Sequence, residues 1–296
     1  MRVTVTGAGI IGLSSAYRLA EAGHDVTVVA AAPPPESTSA VAGGVVYPPI
    51  RVPDERIVRW TAASLAVFRA QDAPGVRFRR GRVLGDPDPW WLPAVEDPAR
   101  AGDGVAFTTA VVDPPVYLDW LLARVGELGV RLEYRSLTSL SGLSADVVVN
   151  AAGLGAGALA GDPGMVPVGG QVVHVTDPGL PEFVVDGRGP GVTYVIPHGR
   201  HVVCGGTEEP GRGDTDPNPA VAADILRRCR ELEPRLADAR VLRSRVGLRP
   251  FRRAVRLERV GDVVHCYGHG GAGITLAWGC AADVAALVDQ PGGVLA

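Results

Sequence analysis

Three stretches of this 296-residue chain carry residues whose types and spacing could do chemistry. The first is GAGIIG, Gly7 to Gly12, a GxGxxG placed directly after an apolar run and at the start of a helical repeat. Gly7 permits the tight turn, Gly9 lets a pyrophosphate reach the backbone, and Gly12 lets helix and strand pack closely. The helix N-terminus then offers N–H groups to phosphates. The second is CYGHGGAGITLAWGC, Cys266 to Cys280, another glycine turn between apolar runs. The third is RSRVGLRPFRRAVRLER, residues 243–259, crowded with arginines. A guanidinium grips a carboxylate bidentately and keeps its proton, although any one arginine in such a run is more often a surface residue.

The first stretch indicates dinucleotide binding but leaves the dinucleotide open. The acid that usually meets a ribose after the second strand is missing, because that strand runs out into Ala30, Ala31 and Ala32. Glu36, beyond three prolines, is the nearest carboxylate, and no arginine stands there for a 2′-phosphate.

Absences narrow the chemistry. All 29 basic residues are arginine, so neither a pyridoxal phosphate Schiff base nor a Walker A lysine is available. No Ser/His/Asp triad or catalytic carboxylate pair assembles, and no residue is assigned as a general base. His265 and His269 lie in the second turn without metal-ligand spacing, so no metal is expected. Cys204, Cys229, Cys266 and Cys280 form no CxxC and read as reduced thiols in a cytoplasmic protein. A net charge of -3 argues against nucleic-acid or anionic-membrane partners. No uninterrupted apolar stretch suggests a membrane span, and no signal-peptide pattern is visible.

The elements that must position these stretches follow from periodicity. Residues 3–6 and 25–29 read as buried parallel strands around a helix from Ile10. Helices are expected over about 56–70, from Asp113 as N-cap, and over 220–233; strands over 77–85, 131–135 and 147–150. Residues 85–104 read as loop. Tyr194–Pro197 and His201–Cys204 read as a hairpin turning at HGRH. The chain closes as strand, turn and helix. The fold class is α/β (α+β overall): a discontinuous Rossmann-like nucleotide-binding domain (1–52, 130–165, 242–296) and a mixed, largely antiparallel sheet domain (53–129, 166–241).

The chain resembles the FAD-dependent D-amino-acid oxidase family, which includes D-aspartate oxidase. The resemblance rests on RVTVTGAGIIGLSSAYRL, TSAVAGGVVYPP, YLDWLLARVGELGVRLEYR, ADVVVNAAGLGAGAL, TYVIP, GLRPFRRAVRLE and YGHGGAGITLAWGCA, in family order along nearly the whole chain. It implies non-covalent FAD with Gly7, Ala8, Gly9, Ile11 and Gly12 at the pyrophosphate, joined by Thr38 and Ser39. It implies Gly43, Gly44 and Val45 along the isoalloxazine, Leu137 beside the adenine, and Gly270, Gly271, Gly273, Ile274 and Thr275 against the flavin pyrimidine.

The resemblance further implies Arg256 and Tyr194 on the substrate α-carboxylate, the Gly271 carbonyl on the amine, and Tyr47 in the pocket wall. The implied reaction is oxidation of a D-amino acid by hydride transfer from Cα to flavin N5. The imino acid then hydrolyses to a 2-oxo acid and ammonia, and O2 becomes hydrogen peroxide. DGRGPGVTYVIP is short where the eukaryotic enzymes carry a lid with a second tyrosine, which resembles a short-lid bacterial member with an open site. VYP at Val46–Pro48 replaces a tryptophan-containing stretch of the family. D-aspartate oxidase is the alternative, with Arg51 and Arg245 as cations for a second carboxylate. A glycine- or sarcosine-type oxidase and a non-catalytic flavin binder are the others. A homodimer is left open.

Overall fold

The computed structural model describes residues 1–48, 53–86 and 89–290. β1 (Arg2–Thr6), α1 (Ile10–Glu21) and β2 (Asp25–Ala30) form the expected crossover unit, the strands parallel from Arg2↔Asp25 to Thr6↔Val29. α2 (Glu55–Gln71) begins at Asp54, whose carboxylate accepts the Arg56 N–H. β3 (Val76–Leu84), β4 (Glu96–Ala101) and β5 (Gly104–Val112) follow as an antiparallel set.

β4 lies inside the stretch read as loop. Its sequence EDPARA has no apolar alternation, because it is an exposed edge strand with one partner, where a proline is tolerated. α3 (Pro114–Glu127) starts after Asp113, although the Asp113 side chain makes no capping bond; prolines in its first turn set the entry.

β6 (Arg131–Tyr134), β7 (Val147–Asn150), α4 (Gly155–Ala160), β8 (Val166–Thr176), β9 (Phe183–Asp186), β10 (Thr193–Pro197), β11 (His201–Gly205) and β12 (Glu209–Pro210) come next. α5 (Pro219–Leu232), β13 (Val241–Val260), β14 (Val263–His269) and α6 (Gly273–Asp289) complete the chain. β10 and β11 pair as the expected hairpin.

All the described strands join one sheet in the order β4-β5-β3-β9-β10-β11-β8-β13-β14-β7-β1-β2-β6, with β12 on β8. The end β14-β7-β1-β2-β6 is parallel. The rest is antiparallel except where β3 runs parallel to β9. The 20-residue β13 joins the two: it pairs with β8 from Val241 to Phe251 and with β14 from Phe251 to Val260.

α6 corrects one reading. The stretch Gly270–Asp289, at mean hydropathy 1.5, is long and apolar enough to cross a membrane by length and composition. In the structure it is a core helix, packed against α1 and α2 with Leu276, Ala277, Trp278 and Cys280 all buried. Its apolar character around the whole circumference is that of a helix enclosed by protein.

The helices covering the parallel strands are tied through Tyr117. Its hydroxyl accepts from Trp278 Nε1 at 2.9 Å and donates to Gln71 Oε1 at 2.6 Å, so α2, α3 and α6 meet at one buried oxygen. Tyr117→Phe leaves the indole N–H and the amide carbonyl without this partner. We expect a loss of about 1–3 kcal/mol in urea unfolding, with an unchanged m-value.

Candidate functional site

The two glycine turns lie on one cavity of about 1250 Å³. Gly7, Ala8, Gly9 and Ile11 of the first turn line it, and so do Gly270, Gly271, Gly273 and Ile274 of the second, Gly273 standing close to Ile10. Thr38, Ser39, Gly43, Gly44, Val45 and Tyr47 lie along it. The two turns meet because β1 and β14 flank β7, and strand carboxyl ends in an open parallel sheet converge on one crevice.

The GAGIIG turn fits a pyrophosphate. Ser39 Oγ accepts the Ile10 N–H at 3.1 Å, while the Ile11 and Gly12 N–H groups take no acceptor among the described residues. A Cβ at Gly12 would stand 1.9 Å from the Gly7 carbonyl oxygen, so helix and turn can touch only without a side chain there. Gly12 itself does not line the cavity, nor does Leu137. Thr275 is also off the wall, and its hydroxyl donates to the Tyr47 carbonyl at 3.1 Å. The Thr38 hydroxyl donates to the Leu248 carbonyl at 2.9 Å, which ties this segment to β13. With a glycine loop, the helix N-terminus at Gly273 and a largely apolar wall on one long cavity, the residues present fit an extended dinucleotide.

The arginine on this cavity beside Tyr194 is Arg249, not Arg256. Arg256 does not line the cavity. Its Nε donates to Glu258 at 2.7 Å and its Nη1 to the Tyr267 hydroxyl at 2.7 Å, with Asp162 at 4.0 Å. Arg249 lies over Gly170, where a Cβ would come within 2.2 Å of Nη1. Its Nη1 donates to the Thr207 carbonyl at 2.8 Å and, at 3.4 Å, to that of Gly169. No carboxylate among the described residues is paired with it. A further N–H of the guanidinium goes to the Tyr194 hydroxyl, and the rest of its five donors are left for an incoming acceptor.

Burial raises the Tyr194 hydroxyl above its usual pKa, and the adjoining Arg249 only partly opposes this, so Tyr194 stays a neutral donor. Gly271 sits against Arg249, with the Arg249 Cδ 3.5 Å from where its Cβ would be. Tyr47 is also held neutral by burial and packs against Trp91 at 5.5 Å and Phe107 at 6.2 Å between ring centroids.

Alternation could not have chosen between Arg249 and Arg256: their odd spacing puts them on opposite faces of a regular strand without saying which face meets a site. The pairing of β13 with β14 also shifts register between Phe251 and Arg256, and no residue type in FRRAVR announces that irregularity.

A second group was invisible to spacing. His174, His201 and His198 stack, with centroids 4.8 and 5.0 Å apart, and His198 Nε2 lies 3.0 Å from the Gly43 carbonyl on the cavity wall. Burial, then the neighbouring His201 and arginines, lowers His174 and His198 to about 3. A neutral His198 can donate from Nε2 to Gly43, which assigns its tautomer. Because the folded pKa values lie below the unfolded value of about 6.5, this contribution is complete above pH 6.5 and declines as pH falls toward 3. We expect urea stability to drop by about 1.4 kcal/mol per pH unit for each imidazole below pH 6.5, and His198→Gln to lessen the slope.

The family model described as "FAD dependent oxidoreductase" matches residues 2–85 and 82–287. A D-amino-acid oxidase from Rubrobacter xylanophilus is 46% identical over 97% of this chain and 95% of its own length. Human D-aspartate oxidase is 34% identical over 98% of this chain and 95% of its own length. Among solved structures, a glycine oxidase from Bacillus cereus superposes with a TM-score of 0.80, at 21% identity and 99% coverage of both chains, a likeness of fold.

Proposed function

The chain belongs to the FAD dependent oxidoreductase family, and from that premise we propose that it is a D-amino-acid oxidase. It converts D-amino acids to 2-oxo acids, ammonia and hydrogen peroxide. The observation that carries this reading is Arg249 beside Tyr194: a guanidinium with uncommitted donors and no carboxylate partner, on the wall of the cavity that both glycine turns share. A substrate carboxylate supplies the missing partner, since a charge taken out of water needs one.

Bound FAD supplies the two-electron redox chemistry, with oxygen as final acceptor. The protein's part is orientation. Arg249 holds the α-carboxylate through Nε and Nη2, with Nη1 fixed on Thr207. The Tyr194 hydroxyl accepts from Arg249 and turns its proton toward the same carboxylate. Gly271, in contact with Arg249, presents its carbonyl to the amine. The N-terminus of α6, beside Gly273, brings a positive dipole to the cavity end that suits an anionic ring. No side chain is assigned as a base, because the α-hydrogen leaves as hydride. Holding two groups of the substrate is sufficient to aim Cα.

The pocket favours a neutral side chain over D-aspartate. Tyr47 gives an aromatic face to the cavity wall, backed by the buried rings of Trp91 and Phe107. Glu208 and Asp86 both place negative charge near Tyr47. Arg245 donates to the carbonyls of Ala40 and Pro35 and does not line the cavity, and Arg51 lies outside the described residues. The same reading puts the enzyme in the cytoplasm with its four cysteines free, and D-amino acid and O2 as its partners.

Two outcomes test this. Arg249→Ala is expected to lower kcat/KM for a neutral D-amino acid by roughly 10²–10³-fold, the loss of about 3–4 kcal/mol, while Arg256→Ala costs less than about tenfold. The reverse order would return the carboxylate to Arg256. In a peroxide assay, neutral D-amino acids are expected to react and L-amino acids not, with D-aspartate at less than about a tenth of the neutral rate. A preference for D-aspartate or glycine would overturn the substrate assignment.

A further inference from the structure

Cys266 on β14, His269 at the end of that strand and Cys280 on α6 come together in the structure. Their ligating atoms all lie within 4.8 Å of one another, and Cys266 Sγ is 4.0 Å from His269 Nε2. The three residues are 1%, 5% and 0% exposed. Around a zinc ion with bonds of about 2.3 Å to sulfur and about 2.0 Å to nitrogen, ligand atoms stand roughly 3.5–4.0 Å apart. The trio therefore needs less than about 1 Å of closure to meet that geometry.

Charge selects among cations. Two thiolates and a neutral imidazole carry two negative charges, so a divalent ion makes a neutral buried complex, whereas a monovalent ion leaves a net charge. Sulfur donors exclude the hard cations magnesium and calcium. Asp283, one turn beyond Cys280, does not compete: its carboxylate is held by Arg59 at 2.7 and 2.8 Å and by Trp60 Nε1 at 2.7 Å. Cys266 and His269 both reach the wall of the large cavity, which gives an ion a way in and leaves room for a fourth ligand. The carboxylate-holding pair, Arg249 and Tyr194, uses none of the three.

We propose that Cys266, His269 and Cys280 form a binding site for one divalent d¹⁰ cation of the zinc class. Such an ion pins α6 to β14 beside the cavity.

The test uses the FAD-loaded enzyme, kept reduced and stripped of metal. It is incubated with zinc, desalted and assayed for retained metal; cobalt is added in parallel as a spectroscopic probe. About one zinc per chain is expected, with tetrahedral cobalt absorption at wavelengths longer than the flavin's. Cys266→Ser is expected to reduce retained zinc to less than about a tenth, and Cys204→Ser to leave it unchanged. Should Cys280→Ser fail to fold, the wild-type cobalt spectrum and Cys266→Ser decide. No stoichiometric zinc in the wild type, retention unchanged in Cys266→Ser, or an octahedral cobalt spectrum would each overturn the proposal.

Discussion

β13 is hydrogen-bonded to β8 along its first half and to β14 along its second, and the site depends on that double allegiance. β8 carries Gly170, over which Arg249 lies, and is paired through β11 to the strand of Tyr194. β14 leads into the turn that holds Gly270 and Gly271 and starts α6. One strand thus sets the distance between the residues that would hold a substrate carboxylate and the backbone that would face a flavin. The register shift between Phe251 and Arg256 falls between Arg249, which lines the cavity, and Arg256, which does not.

The electrostatics follow from this placement. Arg256 lies past the shift and finds ordinary partners in Glu258 and the Tyr267 hydroxyl. Arg249 lies before it, and its fixed contacts are neutral carbonyls. A guanidinium tethered by carbonyls is oriented but not neutralised, which is the state in which an anionic ligand gains most. Tyr194, kept protonated by burial, adds a donor without adding charge. On the opposite side of the cavity wall, the histidine stack fixes the Gly43 carbonyl with uncharged rings, so that segment is held without a competing positive charge.

Local rules made much of the architecture legible. The crossover unit, the hairpin at His198 to His201 and the terminal strand, turn and helix were all marked by periodicity and glycine. GAGIIG and the second turn, far apart in sequence, both line one cavity. What was not legible depended on tertiary pairing. β4 is an edge strand whose polar residues carry no alternation. The facing of Arg249 rather than Arg256 depends on strand register. Cys266, His269 and Cys280 lack metal-ligand spacing in sequence because a strand and a helix, packed side by side, supply them.

The central claim is that Arg249, oriented by Thr207 and Gly169, is the anchor for the substrate carboxylate. A crystal structure of the FAD-loaded enzyme with a 2-oxo acid product bound would test it most directly. The account predicts the carboxylate on Nε and Nη2 of Arg249, with the Tyr194 hydroxyl as third donor. A carboxylate seated on Arg256, or a cavity in which Arg249 touches no part of the ligand, would contradict it.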